Sequence, residues 1–245
     1  MAELFFPQLS TGALTQYPLK RLKSVHTAGY MAEDGTKVMY VDPNGGSLTW
    51  QLSYVGLTQD EVTSLEVLFE ACGGQFRAFT FLDPLVNLLG TQWQPDATVQ
   101  LSGNIATNTG AVAAGISQLL TIPAGYTYAF SVPGDLSADP SANISILASG
   151  PNSHNQLVLS LNRSLLVYSG ALADTGVGFT IKVQLQPGQS IDLSQAQLEA
   201  QPAPSPFRPA LGGIYTNAHW GTDELIFVAE GPNSFNTNFS IVTHV

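Results

Sequence analysis

From Pro95 to about Gln201 the chain carries almost no charge, and short β-prone runs recur between Gly, Pro, Asn and Asp turn residues with no helical periodicity. A packed helix needs an apolar stripe at intervals of three and four residues, so this stretch is confined to antiparallel β-structure, and a sandwich of jelly-roll type is expected. The candidate strands are Leu119 to Ile122, Tyr126 to Val132, Asn143 to Ala148, Gln156 to Leu161, Ser164 to Tyr168, Gly178 to Leu185 and Ser190 to Leu198.

The flanking sequence reads differently. Arg21 to Val25, Thr36 to Val41 and Ser47 to Val55 are partly alternating runs separated by Asp34-Gly35 and by Asp42-Pro43-Asn44-Gly45-Gly46; two turns imply three strands. Leu48, Trp50, Leu52 and Tyr54 share one face at period two, as in a half-buried strand. Thr58 and Glu61 then form a capping box ahead of Val62, Leu65, Leu68 and Phe69 at helical spacing, and Gly73-Gly74 stops the helix. Gln75 to Leu82 is expected to be a strand bearing Phe76, Phe79 and Phe81 and ending at Asp83-Pro84.

Pro202, Pro204, Pro206 and Pro209 imply a stiff linker. Glu224 to Ala229 and Phe235 to Val242 follow as a strand pair too short to bury a core alone, so they must pack on the N-terminal sheet. The expected organisation is therefore residues 1–94 as a first domain, 95–201 as an inserted sandwich, and 202–245 as a linker with strands that rejoin the first. The fold class is mainly β: a small antiparallel sheet or barrel with one α-helix, plus a β-sandwich.

Charge narrows the function. Acidic residues outnumber basic ones 18 to 8, giving a net charge of −10, which opposes nucleic-acid binding because counterion release needs a field of Lys and Arg. Four of the basic residues, Lys20, Arg21, Lys23 and Lys37, cluster early and suit a solvated strand end or a subunit contact. Charged residues make up only 11%, so Ser, Thr, Asn, Gln and Gly must cover much of the surface, as in a protein partly buried against neighbours. A single cysteine excludes an internal disulfide and, without a His/Cys cluster, a structural zinc site. No cofactor or metal is implied. The N-terminus lacks a basic region and a long apolar core, so a soluble product made in the cytoplasm, with no membrane insertion, is expected.

The stretch from Tyr40 to Leu89 resembles the distal tail and minor tail proteins of long-tailed phages, including the lambda-type minor tail protein M. The resemblance rests on Trp50-Gln51-Leu52-Ser53-Tyr54, on Leu57 with Thr58 to Glu61, on Leu65 to Glu70 including Phe69, on Gly73-Gly74, and on Phe79-Thr80-Phe81-Leu82-Asp83-Pro84. Asn233 to Ile241 is similar to the closing strand of the same proteins. The resemblance implies a virion structural protein in a hexameric ring at the tail tip, joining the tail tube to tip, hub or baseplate proteins. A phage virion, a gene-transfer agent and a tail-derived injection device all fit. The central segment resembles carbohydrate-binding-like jelly rolls through Tyr126 to Val132 and Ile191 to Ala200.

Two rival functions are weighed on chemistry. An envelope glycan hydrolase would need paired carboxylates or a nucleophile with its base. The histidines, His26, His154, His219 and His244, sit in no catalytic or metal motif, and Asp223-Glu224 beside His219 and Trp220 reads as a turn. Cys72, ahead of Gly73-Gly74 at a helix C-terminus, reads as a small packed residue, since the helix dipole there disfavours a thiolate. No catalytic residue is assigned. A glycan-binding adhesion module would use flat aromatics and amides, for which Tyr126 and Tyr168, with Asn152 and His154 in a loop, are the candidates; Trp93, Tyr128 and Asn155 complete the inventory.

Overall fold

The computed structural model describes residues 3–133, 143–148, 158–160, 163–170 and 176–244. In chain order, strands β1 (Lys20–Met31) and β2 (Lys37–Leu57) precede helix α1 (Gln59–Cys72) and β3 (Phe79–Leu82). Next come β4 (Gln94–Pro95), β5 (Val99–Ser102), β6 (Ile105–Asn108), β7 (Ala114–Leu120) and β8 (Thr127–Pro133). They are followed by β9 (Asn143–Ala148), β10 (Val158–Ser160), β11 (Arg163–Ser169), β12 (Phe179–Leu185), β13 (Ser190–Asp192) and β14 (Gln197–Glu199). The last strands are β15 (Ile214–Trp220), β16 (Phe227–Gly231) and β17 (Ser234–His244). The protein is mainly β, with one helix among the described residues. Two units divide it: Met1–Leu9, Thr15–Phe81 and Tyr215–Val245 form the first, and Ser10–Leu14 with Leu82–Ile214 form the second.

The first unit is a sheet in the order β1-β2-β17-β15-β3, with β16 also paired to β17. Period two on β2 buries Leu48, Trp50, Leu52 and Tyr54, and β17 lies antiparallel beside it so that Phe239 faces Leu52 and Ile241 faces Trp50. Residues from both ends of the sequence thus share one ladder. Phe6 closes the core from the N-terminal segment, packing edge-on to Phe81 at 5.4 Å, while Phe5 and Thr80 form a parallel bridge. Helix α1 buries Val62, Leu65, Leu68 and Cys72.

The helix is delimited by local chemistry. The Glu61 backbone N–H donates to the Thr58 hydroxyl at 3.3 Å, and the Thr58 backbone N–H donates to the Glu61 carboxylate at 2.8 Å. At the other end Gly73 takes a left-handed φ of 63° and donates to the Glu70 carbonyl, a conformation glycine adopts without Cβ strain.

Three expectations for this unit are corrected. Asp42-Pro43-Asn44-Gly45-Gly46 makes no turn; β2 runs through it, and β1 pairs with β2 on both sides. Only the Asp34-Gly35 turn is formed, so there are two strands where three were expected. The run Gln75 to Leu82 becomes a strand only at Phe79, because the backbone turns through Gly73 to Arg77, with the Arg77 N–H donating to the Cys72 carbonyl at 3.0 Å. Finally, β15 was unanticipated: Ala218 and Trp220 alternate inward from it into the core.

The second unit holds sheets in the orders β10-β11-β8-β14 and β4-β7-β12-β9, plus the three-stranded β13-β6-β5. The two four-stranded sheets face each other across Tyr128 and Tyr168 on one side and Phe179 on the other, with centroids 4.5 and 5.3 Å apart. The hairpin of β5 and β6 lies in a segment where no strand was expected.

Residues 82–94 fold with this unit and not with the first. The fully buried Asn87 explains why: its side-chain amide donates to the Ala196 carbonyl at 2.8 Å, and its oxygen accepts the Leu198 N–H at 3.0 Å. The proline segment is no free linker either. Glu199 accepts the backbone N–H of Ser205 at 3.0 Å, Arg208 donates to the Pro84 carbonyl, and Asp83 donates its N–H to the Gly213 carbonyl at 2.7 Å.

Burial raises the phenols of Tyr54, Tyr126 and Tyr128 above the ordinary tyrosine range. Unfolded phenols ionise near pH 10 while these stay protonated, so the stability they confer is complete below that pH and is lost as pH rises further. Denaturant unfolding should therefore show stability falling by about 1.4 kcal/mol per pH unit per phenol above pH ~10. A flat profile through pH ~12 would contradict the burial of these rings.

Candidate assembly interface

Strand β1 forms one border of the first sheet, and all twelve of its residues are exposed. Its ladder to β2 has two parts. From Lys20 to Ser24 it lies beside residues of β2 that β17 also covers, the last β17 pair being His244 with Ser47. From His26 to Met31 it pairs with Asp42 to Lys37, so this second part is a two-stranded arm with no further strand on either side among the described residues. Six rungs reach about 20 Å at ~3.3 Å per residue.

A large bulge separates root from arm. Val25 alone stands opposite residues 43–46, and the register resumes at His26 and Asp42. Gly45 is sterically required there, since a Cβ would lie 2.4 Å from the His26 Cβ and 2.8 Å from an Asp42 carboxylate oxygen. Such a bulge bends and twists a ribbon away from its sheet. At the tip, the Thr36 backbone N–H donates to Asp34 at 2.9 Å and Gly35 supplies a φ of +82°.

The arm is apolar on both faces. The register places Tyr30 and Tyr40 on one side, and Met31, Met39 and Val41 on the other. Each of the five is more than half exposed. Isolated two-stranded ribbons are at best marginal in water, and an open edge with apolar flanks is the usual template for pairing with another chain. Fully burying five such side chains is worth on the order of 10 kcal/mol gross. That is comparable with the roughly 4–15 kcal/mol cost of association, so side-chain burial alone only breaks even. Hydrogen bonds along the β1 edge must contribute as well.

Most of the residues that carry the family resemblance lie elsewhere in the first unit, whereas Leu82, Asp83 and Pro84 belong to the second. Trp50, Leu52, Tyr54, Leu57, Phe79 and Phe81 are buried. Phe69 packs edge-on against Trp220 at 5.3 Å, Glu61 and Gly73 cap the helix, and Gly74 follows with φ 63°. Asp83 accepts the Leu85 N–H at 2.9 Å just before Pro84 ends the strand. The buried positions among them build the core of the fold. The exposed arm residues Tyr30, Met31 and Met39 were not singled out in the sequence because β1 and β2 were read as short separate strands.

The polar cluster near the C-terminus is structural. Asp223 accepts the Gln75 N–H at 2.9 Å, and His219 Nδ1 donates to the Gln75 carbonyl at 2.9 Å, which clasps the backbone leaving the helix. Burial pushes the Cys72 thiol up, with the Trp220 side chain partly offsetting it. Among the described residues no group of three or more His, Cys, Asp and Glu could hold a metal, and no helix is long and apolar enough to cross a membrane.

The proposed sugar-binding tyrosines are corrected in part. Tyr168 is buried, donates its hydroxyl to the Ala124 carbonyl at 2.8 Å and cannot offer a face to a pyranose. Tyr126 is half-buried and stacks on Tyr128 at 6.4 Å. Asn152 and His154, with Asn155, lie outside the described residues. No family model matches the sequence, and no curated protein matches it significantly.

Proposed function

We propose that the chain is a non-enzymatic structural subunit of a phage-type tail, a distal or minor tail protein that assembles into a hexameric ring at the tail tip and joins the tube to the tip or baseplate. One observation carries this reading: a unit built from both ends of the chain exposes a β1 edge that has no second strand beside it among the described residues and extends into an arm with apolar side chains on both faces. The strand, capped helix, glycine pair and aromatic strand resembling tail proteins sit in that same unit, which ties the edge to ring formation. A closed ring needs a heterologous interface. A free edge on one border with a different surface elsewhere meets that need.

Adhesion to a cell-surface glycan through the second unit is the weaker reading, because Tyr168 is internal. The test of location is immunogold labelling of intact particles made in a host that expresses a C-terminally tagged copy. Label at the distal end of the tail is expected. Label confined to the head, or absent from particles that contain the protein by mass spectrometry after disruption only, would count against tail-tip placement.

A further inference from the structure

Two outer strands of the first sheet, β1 at one end of its order and β16 beside β17, differ in charge. Strand β1 contains Lys20, Arg21 and Lys23 and has no acidic residue. On the far side of β17 from β2 lies β16, whose partner among the described strands is β17 alone. The strand itself holds Glu230, the segment of residues 222–226 that leads into it holds Asp223 and Glu224, and neither has a basic residue. In a chain with only 8 basic residues, placing three within four positions on one border is a concentrated asymmetry.

Arg21 and Asp223 are engaged within the unit, Arg21 donating to the Tyr215 hydroxyl at 3.1 Å and Asp223 accepting the Gln75 N–H at 2.9 Å, which leaves Lys20, Lys23, Glu224 and Glu230. The ion pairs among the described residues are His26–Asp42, Lys182–Asp96 and Arg208–Glu199, none of which involves Lys20, Lys23, Glu224 or Glu230. Glu230 accepts a bond from the neutral Asn236 amide at 3.3 Å. The β16 border is also apolar between its charges, with Ile226 and Val228 more than half exposed.

We propose that the β1 edge of one copy pairs with the β16 edge of a second copy, Lys20 and Lys23 meeting Glu224 and Glu230 around Ile226 and Val228. This rests on the ring-subunit reading above and names its contact. A β1-to-β1 contact would set like charges against each other across the new ladder, and β16-to-β16 would do the same. Head-to-tail pairing alone relieves both, and it leaves a free edge of each kind for the next subunit until the ring closes. Five residues of β16 give a ladder about 17 Å long. That length fits the root of β1, so the arm is left to reach further over the neighbour.

The experiment uses the full chain and sedimentation velocity across concentration. The variants are the pair Lys20→Glu with Lys23→Glu, the pair Glu224→Lys with Glu230→Lys, and all four together. Each pair alone should weaken self-association by about tenfold or more, because it sets like charges across the contact. An equimolar mixture of the two pairs should restore assembly, and so should the fourfold variant, since each recreates opposite charges edge to edge. Wild-type assembly should weaken with added salt. If the wild type assembles and either pair leaves it intact, or mixing fails to restore it, this contact is wrong while the ring reading stands. If the wild type stays monomeric, both fail. Should a reversed pair melt earlier than the wild type, the neutral pairs Lys20→Gln with Lys23→Gln and Glu224→Gln with Glu230→Gln replace it, and loss of the salt dependence decides in the same way.

Discussion

Replacing Trp220 with alanine should destabilise the first unit by about 3–5 kcal/mol, the range for a large aromatic removed from a packed core. The expectation is at the upper end because Trp220, like Phe6, touches four other rings and is the larger of the two. Its centroid lies 6.2 Å from Phe6, 5.3 Å from Phe69, 5.7 Å from Phe79 and 4.9 Å from Phe239. Those rings come from the N-terminal segment, the helix, β3 and β17, so a cavity here loosens every element that joins the two ends of the chain. Domains of this kind hold only about 5–15 kcal/mol in total. Urea unfolding followed by tryptophan fluorescence and far-UV circular dichroism should show a lowered midpoint, and a loss below about 1 kcal/mol would mean the ends are not packed as described.

The second large effect is on assembly and should leave stability alone. Excising residues 26–42 and joining Val25 to Pro43 through a short Asn-Gly turn removes Tyr30, Met31, Met39, Tyr40 and Val41. The β17 ladder on β2 runs between Leu57 and Ser47 and does not reach this segment. The melting temperature should therefore move by no more than a few degrees, the shift expected for about 1 kcal/mol or less. Self-association should drop by two orders of magnitude or more, since on the order of 10 kcal/mol of gross apolar burial is lost and the remaining edge has the cost of association to offset. An excised protein that still assembles would move the interface away from the arm. One that unfolds would show the arm to be part of the core.

What the sequence revealed depended on how local the determining physics was. The helix was legible to within a residue because Thr58, Glu61, Gly73 and the Val62, Leu65, Leu68 spacing lie within one turn or two of what they control. The buried face of β2 was legible because period two needs no knowledge of the neighbouring strand. Asp42 to Gly46 was misread because turn residues serve equally in a bulge, and only the pairing of Ser24 and His26 across the gap decides between them. Strand β15 was hidden because its ladder to β17 consists of His219 with Val242 and Trp220 with Ile241, more than twenty positions away in sequence.

The division between the units was equally non-local. Asn87 looks like an ordinary loop residue until its bonds to Ala196 and Leu198 are seen. Tyr168 illustrates the same limit for the candidate sugar site, because a strand aromatic can face water or core, and the opposing Phe179 settles which. The proposed interface drew on both sources: the basic cluster at Lys20 to Lys23 was visible in the sequence, whereas the apolar arm required the long hairpin to be known.

Native mass spectrometry of the full-length protein, at concentrations rising through the micromolar range, tests the central claim most directly. A discrete closed oligomer, a hexamer on the ring reading, should appear with no ladder of ever-larger species, because a head-to-tail contact that closes leaves no free β1 edge. A protein that remains monomeric throughout, or one that grows without limit, would contradict it.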